Sequence, residues 1–343
     1  MHPPRTGLLL LNLGTPDSPS TADVRRYLAE FLDDPRVVDI HPLARKLLLN
    51  LVILPFRPAR SAAAYRTIWT ERGSPLLFHT RDLAEGVAAE LGQGWQVEVA
   101  MRYGNPDLPS ALRRLQDAGV DRVVAIPLYP QYASSSTGSS LEQLYREAGR
   151  LPAVPALVTV KDFYDRSAFL DPAADAAREA VTGADHVLFS FHGVPERQVR
   201  ATEIGGSGRC LASRSCCDRI GPVNRCCYRA QSFATARALA ERLALPPERW
   251  SVGFQSRLGR TPWIQPFTDA LIPALAEQGV KTLAVLCPSF VADCLETLEE
   301  IGDRARADFL AAGGEALRLA PCVNSRPDWA RGVADMARAA IGA

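Results

Sequence analysis

This sequence has neither a long apolar run nor an excess of charge. No stretch reaches the roughly 18 apolar residues that would span a bilayer, and the apolar run at residues 7–13 is too short for a secretory signal. Lysine and arginine number 39 against 38 aspartates and glutamates, which gives a net charge of +1. A nearly neutral chain has no general field that attracts nucleic acid, so we expect no nucleic-acid partner. Because the sequence has neither a bilayer span nor a secretory signal, we expect a cytoplasmic protein, with the inner face of the membrane as the alternative location.

The cysteines are distributed unevenly along the chain. Three of the eight are scattered near the C-terminal end, whereas five fall between positions 210 and 227: Cys210, Cys216, Cys217, Cys226 and Cys227. In a reducing compartment such a dense group favours metal binding over disulfides.

Short apolar runs alternate with amphipathic stretches along all 343 residues. Each run ends at a glycine or near a proline, and the clearest lie at residues 7–13, 122–129, 186–191 and 281–286. Alternating strands and helices predict an α/β fold with parallel sheets. The length is enough for two domains, each with a core of its own.

The two halves of the chain resemble each other. Residues 95–104 read WQVEVAMRYG and residues 250–259 read WSVGFQSRLG, and each is followed by a helical stretch and an apolar strand. We therefore predict two similar doubly wound, Rossmann-like lobes, at residues 1–150 and 151–343. In such folds ligands bind beyond the carboxyl ends of the strands.

Two segments stand outside this repeat. Residues 43–60 have an apolar centre with basic flanks, and this pattern fits either an interfacial lip that meets a membrane or a buried core helix. The second segment is the cysteine-rich insert at residues 198–231.

Three polar side chains are candidates for chemistry at strand ends. His192 follows an apolar run, where a neutral imidazole can take a proton or bind a metal. Glu296 and Glu300 are four residues apart on a predicted helix and share one face. A structural histidine and a solvated acidic face are the alternatives at these positions.

Six strings, in their order and spacing, resemble the ferrochelatase family over nearly the whole chain. They are residues 11–16 (LNLGTP), 101–104 (MRYG), 129–138 (YPQYASSSTG), 190–193 (SFHG), 255–257 (QSR) with Trp263, and 290–296 (FVADCLE). The resemblance implies paired doubly wound lobes and the insertion of ferrous iron into a porphyrin to form haem.

The resemblance also implies roles for single residues. His192 matches the cleft histidine that binds iron or removes porphyrin protons, and Glu296 matches the carboxylate that faces it. Glu300 continues the row of carboxylates that Glu296 begins, which we call the carboxylate ladder. Four residues match the lining of the porphyrin pocket: Arg102, Tyr103, Trp263 and Phe290. Leu13 lies where some relatives have methionine or tyrosine, so this position offers no side-chain metal ligand.

The cysteine insert resembles the internal segment of bacterial ferrochelatases that carry a [2Fe–2S] cluster. The resemblance implies four ligands, which are Cys210, Cys216, Cys217 and Cys227. Cys226 would then be spare, although it remains the alternate for Cys227. The alternatives are zinc and an insert without metal, but the spacing is unlike that of zinc-finger pairs.

The expected partners are porphyrin and ferrous iron, with peripheral membrane association if residues 43–60 form a lip. Two rival functions stay open at this level: a chelatase for another metal or tetrapyrrole, and a non-catalytic iron–sulfur or haem sensor on the same fold. The sequence gives no signal for oligomeric state, and none that separates protoporphyrin from coproporphyrin.

Overall fold

The computed structural model of the chain describes residues 5–206, 208–257, 259 and 261–342. Ser207 of the cysteine insert, and Leu258 and Arg260 after the string at 255–257, lie outside these residues. The strands are β1 Arg5–Thr15, β2 Trp95–Gly104, β3 Val120–Pro127, β4 Ala156–Thr159, β5 His186–His192, β6 Trp250–Gln255, β7 Thr282–Leu286 and β8 Ala316–Leu319. The α-helices are α1 Thr21–Leu32, α2 Pro42–Leu48, α3 Leu54–Ile68, α4 Pro75–Leu91, α5 Leu108–Asp117, α6 Ser139–Ala148, α7 Ser167–Val181, α8 Glu196–Ala201, α9 Tyr228–Arg242, α10 Thr268–Glu277, α11 Leu295–Thr297, α12 Arg306–Ala311 and α13 Pro327–Ala340.

The strands form two parallel sheets with the same topology. The first has the order β2-β1-β3-β4, and the second has the order β6-β5-β7-β8. In β1, the consecutive residues Leu8, Leu9, Leu10 and Leu11 are all at most 1% exposed, because helices cover both faces of the sheet. The structure thus confirms the predicted α/β fold with two similar doubly wound lobes.

The chain divides into two compact units. The first contains residues 1–129, 134–162 and 325–343, and the second contains residues 130–133 and 163–324. These units differ from the predicted ranges 1–150 and 151–343 at three places, the first of which is residues 130–133, which belong to the second unit. β4 pairs with β3 and so extends the first sheet beyond residue 150, and the C-terminal helix α13 returns to the first unit.

Helix α13 packs closely against α4 in the first unit. A Cβ atom at Gly86 of α4 would lie 3.1 Å from the Cβ of Ala330, which shows how near the two helices approach. The Arg338 guanidinium donates a hydrogen bond to the Glu90 carbonyl at 2.5 Å. Trp329 is fully buried at the start of α13, so this helix is part of the core of the first unit.

In the part of the chain that the structure describes, three segments have π-helical hydrogen bonding: Leu49–Ile53, Ser134–Gly138 and Leu298–Ala305. Such segments are uncommon and often mark functional sites. The third follows α11 and carries Glu300. Among the described residues, no helix is long and apolar enough to cross a bilayer.

Candidate active site

Three parallel strands of the second unit end close to one another and carry the predicted catalytic histidine. His192 is the last residue of β5 and pairs in register with Gln255, the last residue of β6. β7 lies on the other side of β5 and ends at Leu286. Beyond Leu286 the chain turns and brings Ser289 and Phe290 to the same edge.

The hydrogen bonds of His192 fix which ring nitrogen is free to react. Its Nδ1 atom lies 2.7 Å from the carbonyl oxygen of Gly193. A carbonyl oxygen only accepts, so Nδ1 carries the proton in this contact and Nε2 of the neutral ring keeps its lone pair. The side chain is half-buried, and its main-chain N–H donates to the Ser289 hydroxyl at 3.0 Å.

Trp263 packs directly beside the histidine. It forms an antiparallel bridge with Pro195, and Ile264 donates its N–H to the Val194 carbonyl at 3.1 Å. A Cβ atom at Gly193 would lie 2.8 Å from the Gln255 carbonyl oxygen and 3.2 Å from Cε3 of Trp263. Only glycine allows this approach, which explains the glycine after His192.

Phe290 completes an aromatic edge around the imidazole. The centroids of the Phe290 and His192 rings are 6.3 Å apart, in an edge-on arrangement. Phe290 also borders a mainly apolar cavity, whose lining includes Cys287 and Cys322. The structure therefore brings His192, Trp263 and Phe290 together at this edge of the sheet.

The two predicted glutamates lie on consecutive helical segments at the same edge. The Gln255 side chain donates to the Glu296 carbonyl at 2.8 Å. The Ser256 hydroxyl donates to Oε2 of Glu300 at 2.6 Å. Arg304 contacts Glu299 at 2.8 Å and lies 4.0 Å from Glu300. Arg304 therefore partly neutralises the outer end of the carboxylate ladder.

Burial is the main cause that raises the pKa of Glu300 above its ordinary value. The hydrogen bond from Ser256 and the interactions with His192 and Arg304 oppose this rise, whereas the charge of Glu296 adds to it. Glu300 thus interacts electrostatically with both His192 and Glu296. A carboxyl with a raised pKa takes up and releases a proton at a higher pH than an ordinary glutamate does.

The raised pKa of Glu300 predicts a pH-dependent effect of Glu300→Gln on stability. The folded chain binds the Glu300 proton more tightly than the unfolded chain does, so this contribution is present below the unfolded pKa and is lost as pH rises through the folded pKa. The amide cannot ionise, so we expect the Tm of Glu300→Gln to match wild type at pH 4 and to equal or exceed it at pH 8. Thermal unfolding across this range is the measurement; a variant less stable only at pH 8 would contradict the expectation.

The remaining predicted pocket residues lie in the first unit. Leu13 is half-buried near the end of β1. Arg102 and Tyr103, near the end of β2, both contact the buried carboxylate of Asp34: the Arg102 guanidinium at 2.5 Å and the Tyr103 phenol at 2.8 Å. Ser139 also donates to Asp34 at 2.5 Å.

This cluster gives Arg102 and Tyr103 a structural role. Tyr103 is fully buried, and the Arg102 side chain is only 13% exposed. Burial is the largest effect on the pKa of Asp34 and raises it, but the hydrogen bonds from Ser139 and Tyr103 and the charge of Arg102 outweigh burial, and the net shift is downward. Sequence reasoning missed Asp34 because 68 residues separate it from Arg102.

The thiols of the four predicted cluster ligands form a chain of contacts. Sγ of Cys216 lies 3.6 Å from Sγ of Cys217, and the thiol of Cys227 interacts with those of both Cys217 and Cys210. The contact with Cys210 is the main cause that raises the pKa of Cys227 to about 11. Cys217 and Cys227 are buried, and Cys226 is half-buried.

This chain of thiols is not closed around one point. Within residues 5–206, 208–257, 259 and 261–342, no group of three or more histidine, cysteine or acidic side chains has an arrangement that would hold a metal ion. The segment between α8 and α9 also differs in extent from the predicted insert, because residues 198–201 and 228–231 belong to those helices.

Comparison with known proteins gives a consistent result along the chain. The family model of ferrochelatase matches residues 5–341. The ferrochelatase of Azotobacter vinelandii is 49% identical over 334 residues, covering 96% of this chain and 98% of the relative. That of Ectopseudomonas mendocina is 48% identical over 324 residues, covering 94% of each chain. Among solved structures, SirB from Bacillus subtilis with Fe3+ matches at a TM-score of 0.54 and 11% identity, covering 98% of this chain and 95% of SirB, which shows a shared fold.

Proposed function

Because this chain belongs to the ferrochelatase family, we propose that it inserts ferrous iron into a porphyrin with His192 as the group that removes the porphyrin protons. One observation carries this assignment. The bond from Nδ1 of His192 to the Gly193 carbonyl leaves the lone pair of Nε2 available at a strand end. Relatives at 48% and 49% identity are ferrochelatases, which favours this function over a chelatase for another metal or a non-catalytic sensor.

The reaction exchanges two protons for one metal ion. A free-base porphyrin has two N–H groups, and both protons must leave as Fe2+ binds the four ring nitrogens, so charge is balanced. Nε2 of His192 accepts such a proton as a general base. The proton then passes to Glu300, whose raised pKa suits a carboxyl that is alternately protonated and ionised.

Glu296 and Glu300 have separate duties in this proposal. Glu300 is held by Ser256 and interacts with both His192 and Glu296, so it receives the proton. Glu296 supplies the negative charge that attracts the entering Fe2+ together with His192. Arg304 limits the charge at the outer end of the ladder, which favours release of the proton to solvent.

Trp263 and Phe290 are proposed to contact the porphyrin ring. Both lie against the residues that carry the histidine, Trp263 on Gly193 and Phe290 edge-on to the imidazole. Aromatic walls bind a planar macrocycle through apolar contact. Leu13, Arg102 and Tyr103 are proposed pocket residues by family resemblance. The contacts of Arg102 and Tyr103 with Asp34 hold these two side chains in place, which supports a structural role for them in a rigid wall.

The proposed activity is tested by an anaerobic assay. Purified protein is mixed with ferrous iron and either protoporphyrin IX or coproporphyrin III, and formation of the metalloporphyrin is followed by absorbance. Turnover with one porphyrin identifies the substrate. Absence of turnover with both, from folded protein, would refute iron insertion.

We propose that Cys210, Cys216, Cys217 and Cys227 hold a [2Fe–2S] cluster. The donor type supports this proposal: thiolates are the usual ligands of such clusters, and the four thiols neighbour one another, although they do not surround a single point in this structure. When bound, the cluster would cross-link the segment between α8 and α9 and supply a one-electron redox centre. Cys227 is the preferred member of the last pair because its thiol contacts both Cys210 and Cys217.

We also propose that the segment at residues 43–60 binds a membrane surface. Five apolar side chains of this segment are more than half exposed: Leu43, Leu47, Leu51, Val52 and Phe56. Lys46, Arg57 and Arg60 are exposed beside them. Apolar side chains with a basic border favour the surface of an anionic bilayer. Of the four basic flanks, Arg45 is instead buried against Asp33.

Replacing Leu47, Leu51 and Phe56 together by serine should weaken vesicle binding. Each of these exposed side chains contributes about 1 kcal/mol if it enters the lipid, so we expect a loss of at least about tenfold in affinity. Co-sedimentation with vesicles that contain anionic lipid measures this, and turnover on detergent-solubilised porphyrin should change little.

The matched control for this triple variant is Val154→Ser with Leu310→Ser. Both control side chains are exposed, at 64% and 40%, but lie outside the segment. Equal vesicle binding by wild type and the triple variant would show that the segment does not meet lipid. Leu49 and Leu54, within the same segment, are buried, so serine there would test the core and not the membrane.

A further inference from the structure

The main-chain position of His192 depends on a serine outside the sheet. The last residue pair between β5 and β7 is Phe189 with Leu286, so β7 has already ended where His192 lies. The hydroxyl of Ser289 accepts the His192 N–H at 3.0 Å in place of a strand carbonyl. Ser289 therefore sets where the backbone of the histidine lies.

Tyr228 connects this serine to the cysteine segment. The residue is buried, and its phenol interacts with the Ser289 hydroxyl. Tyr228 is the first residue of α9 and directly follows Cys227, whose thiol contacts Cys210 and Cys217. One peptide link, the interaction of Tyr228 with Ser289 and one hydrogen bond thus connect Cys227 to the backbone of His192.

A second contact ties the same turn to α9. The Gln131 amide donates to the Pro288 carbonyl at 3.2 Å and to the Thr235 hydroxyl of α9 at 3.0 Å. Pro288 immediately precedes Ser289. Helix α9 therefore fixes the turn at two neighbouring residues, through Tyr228 and through Thr235.

We propose that Tyr228 and Ser289 are positioning residues for His192 and make its position depend on the folded state of the cysteine segment. The proposal rests on the proposed role of His192 as the base of the reaction. A base must lie within a fraction of an ångström of its productive position, and loss of a buried hydrogen bond lets a strand end shift. Tyr228 and Ser289 act through the backbone and do not touch the porphyrin in this proposal.

The variants Tyr228→Phe and Ser289→Ala each remove one hydroxyl from this path. We expect each to lower kcat about tenfold, with the KM for porphyrin and the Tm nearly unchanged, because a small displacement of a catalytic group is costly. The double variant should lose no more than Ser289→Ala alone, because both act on one path. Ser251→Ala is the control: it removes a serine hydroxyl bonded to His186 at the other end of β5 and should leave kcat unchanged.

Hydrogen exchange at the His192 amide gives a readout that does not need activity. This amide is protected by Ser289, so mass spectrometry of peptides that contain residue 192 should show at least tenfold faster exchange in both variants. The single variant Cys210→Ser should also speed exchange at the His192 amide. Added to Tyr228→Phe, the same substitution should speed that exchange little further. Unchanged exchange in Tyr228→Phe would overturn the link to the cysteine segment.

The kinetic and exchange results separate this inference from the proposed function. Faster exchange with an unchanged kcat would overturn the positioning role. If the losses of kcat in Tyr228→Phe and Ser289→Ala add up in the double variant, the two residues do not act on His192 through one path. Wild-type protein that inserts no iron would refute the proposed function, whereas the exchange at His192 would still show whether Tyr228 and Ser289 hold the strand end.

Discussion

His192→Ala should lower kcat for iron insertion by a factor of about 10²–10⁴, the usual contribution of a general base. The structure supports a large effect, because Nδ1 of His192 is bound to the Gly193 carbonyl and the free Nε2 is the only atom of the ring left to react. The variant should remain folded, because the side chain is half-buried and its main-chain bond to Ser289 does not need the imidazole. An anaerobic assay with ferrous iron and porphyrin measures the loss.

His186→Ala provides a matched control on the same strand. His186 is the first residue of β5, and it bonds Ser251 at the opposite end of the strand from His192. We therefore expect His186→Ala to leave turnover unchanged. Added imidazole should restore part of the activity of His192→Ala but not change that of His186→Ala. Near-normal turnover by His192→Ala would remove the histidine from the mechanism.

Cys227→Ser should lose the visible absorbance of a [2Fe–2S] cluster and about two non-haem irons per chain. An alkoxide is a poor replacement for a thiolate, and Cys227 lies at the centre of the thiol contacts, next to both Cys210 and Cys217. The segment between α8 and α9 has little apolar core, so loss of the cluster should also expose it to protease first. Absorbance, iron and acid-labile sulfide per chain are the measurements.

Cys226→Ser is the closest possible control, since it changes the adjacent cysteine in the same way. We expect its iron and sulfide content to match wild type. If Cys226→Ser loses the cluster while Cys227→Ser retains it, the alternate ligand is correct. Colourless protein with one zinc per chain after anaerobic preparation would exclude the iron–sulfur assignment and leave iron insertion untouched.

The sequence predicted the fold well because its signals are local. The four apolar runs correspond to β1, β3, β5 and β7, the two inner strands of each sheet, and buried parallel strands are continuously apolar. The return of α13 to the first unit was not predicted. A helix shows which of its faces is apolar but not which sheet that face will cover, and contacts such as Gly86 with Ala330 join positions far apart in the chain.

The candidate site was predicted in its charged and aromatic residues but not in its supports. His192, Glu296, Trp263 and Phe290 have family motifs around them, which single them out. Ser289 and Tyr228 lie in none of the six strings. Ser256 lies in one of them, but the string does not show that its hydroxyl bonds Glu300, because a serine or tyrosine hydroxyl gains its partner only through the fold of the chain. The same limit applies to residues 43–60, where apolar composition alone did not distinguish buried Leu49 from exposed Leu51.

The return of α13 has a consequence for how the protein is made. The second unit lies wholly within the sequence of the first, between residues 162 and 325, apart from residues 130–133. Once residue 324 has left the ribosome, all residues of the second unit are available for folding. The first unit at that stage still lacks α13, the helix that contributes Trp329 to its core. Synthesis from the N-terminus therefore begins the first unit before the second and completes it after the second, so the apolar surface of the first unit needs shielding until residues 325–343 have been made.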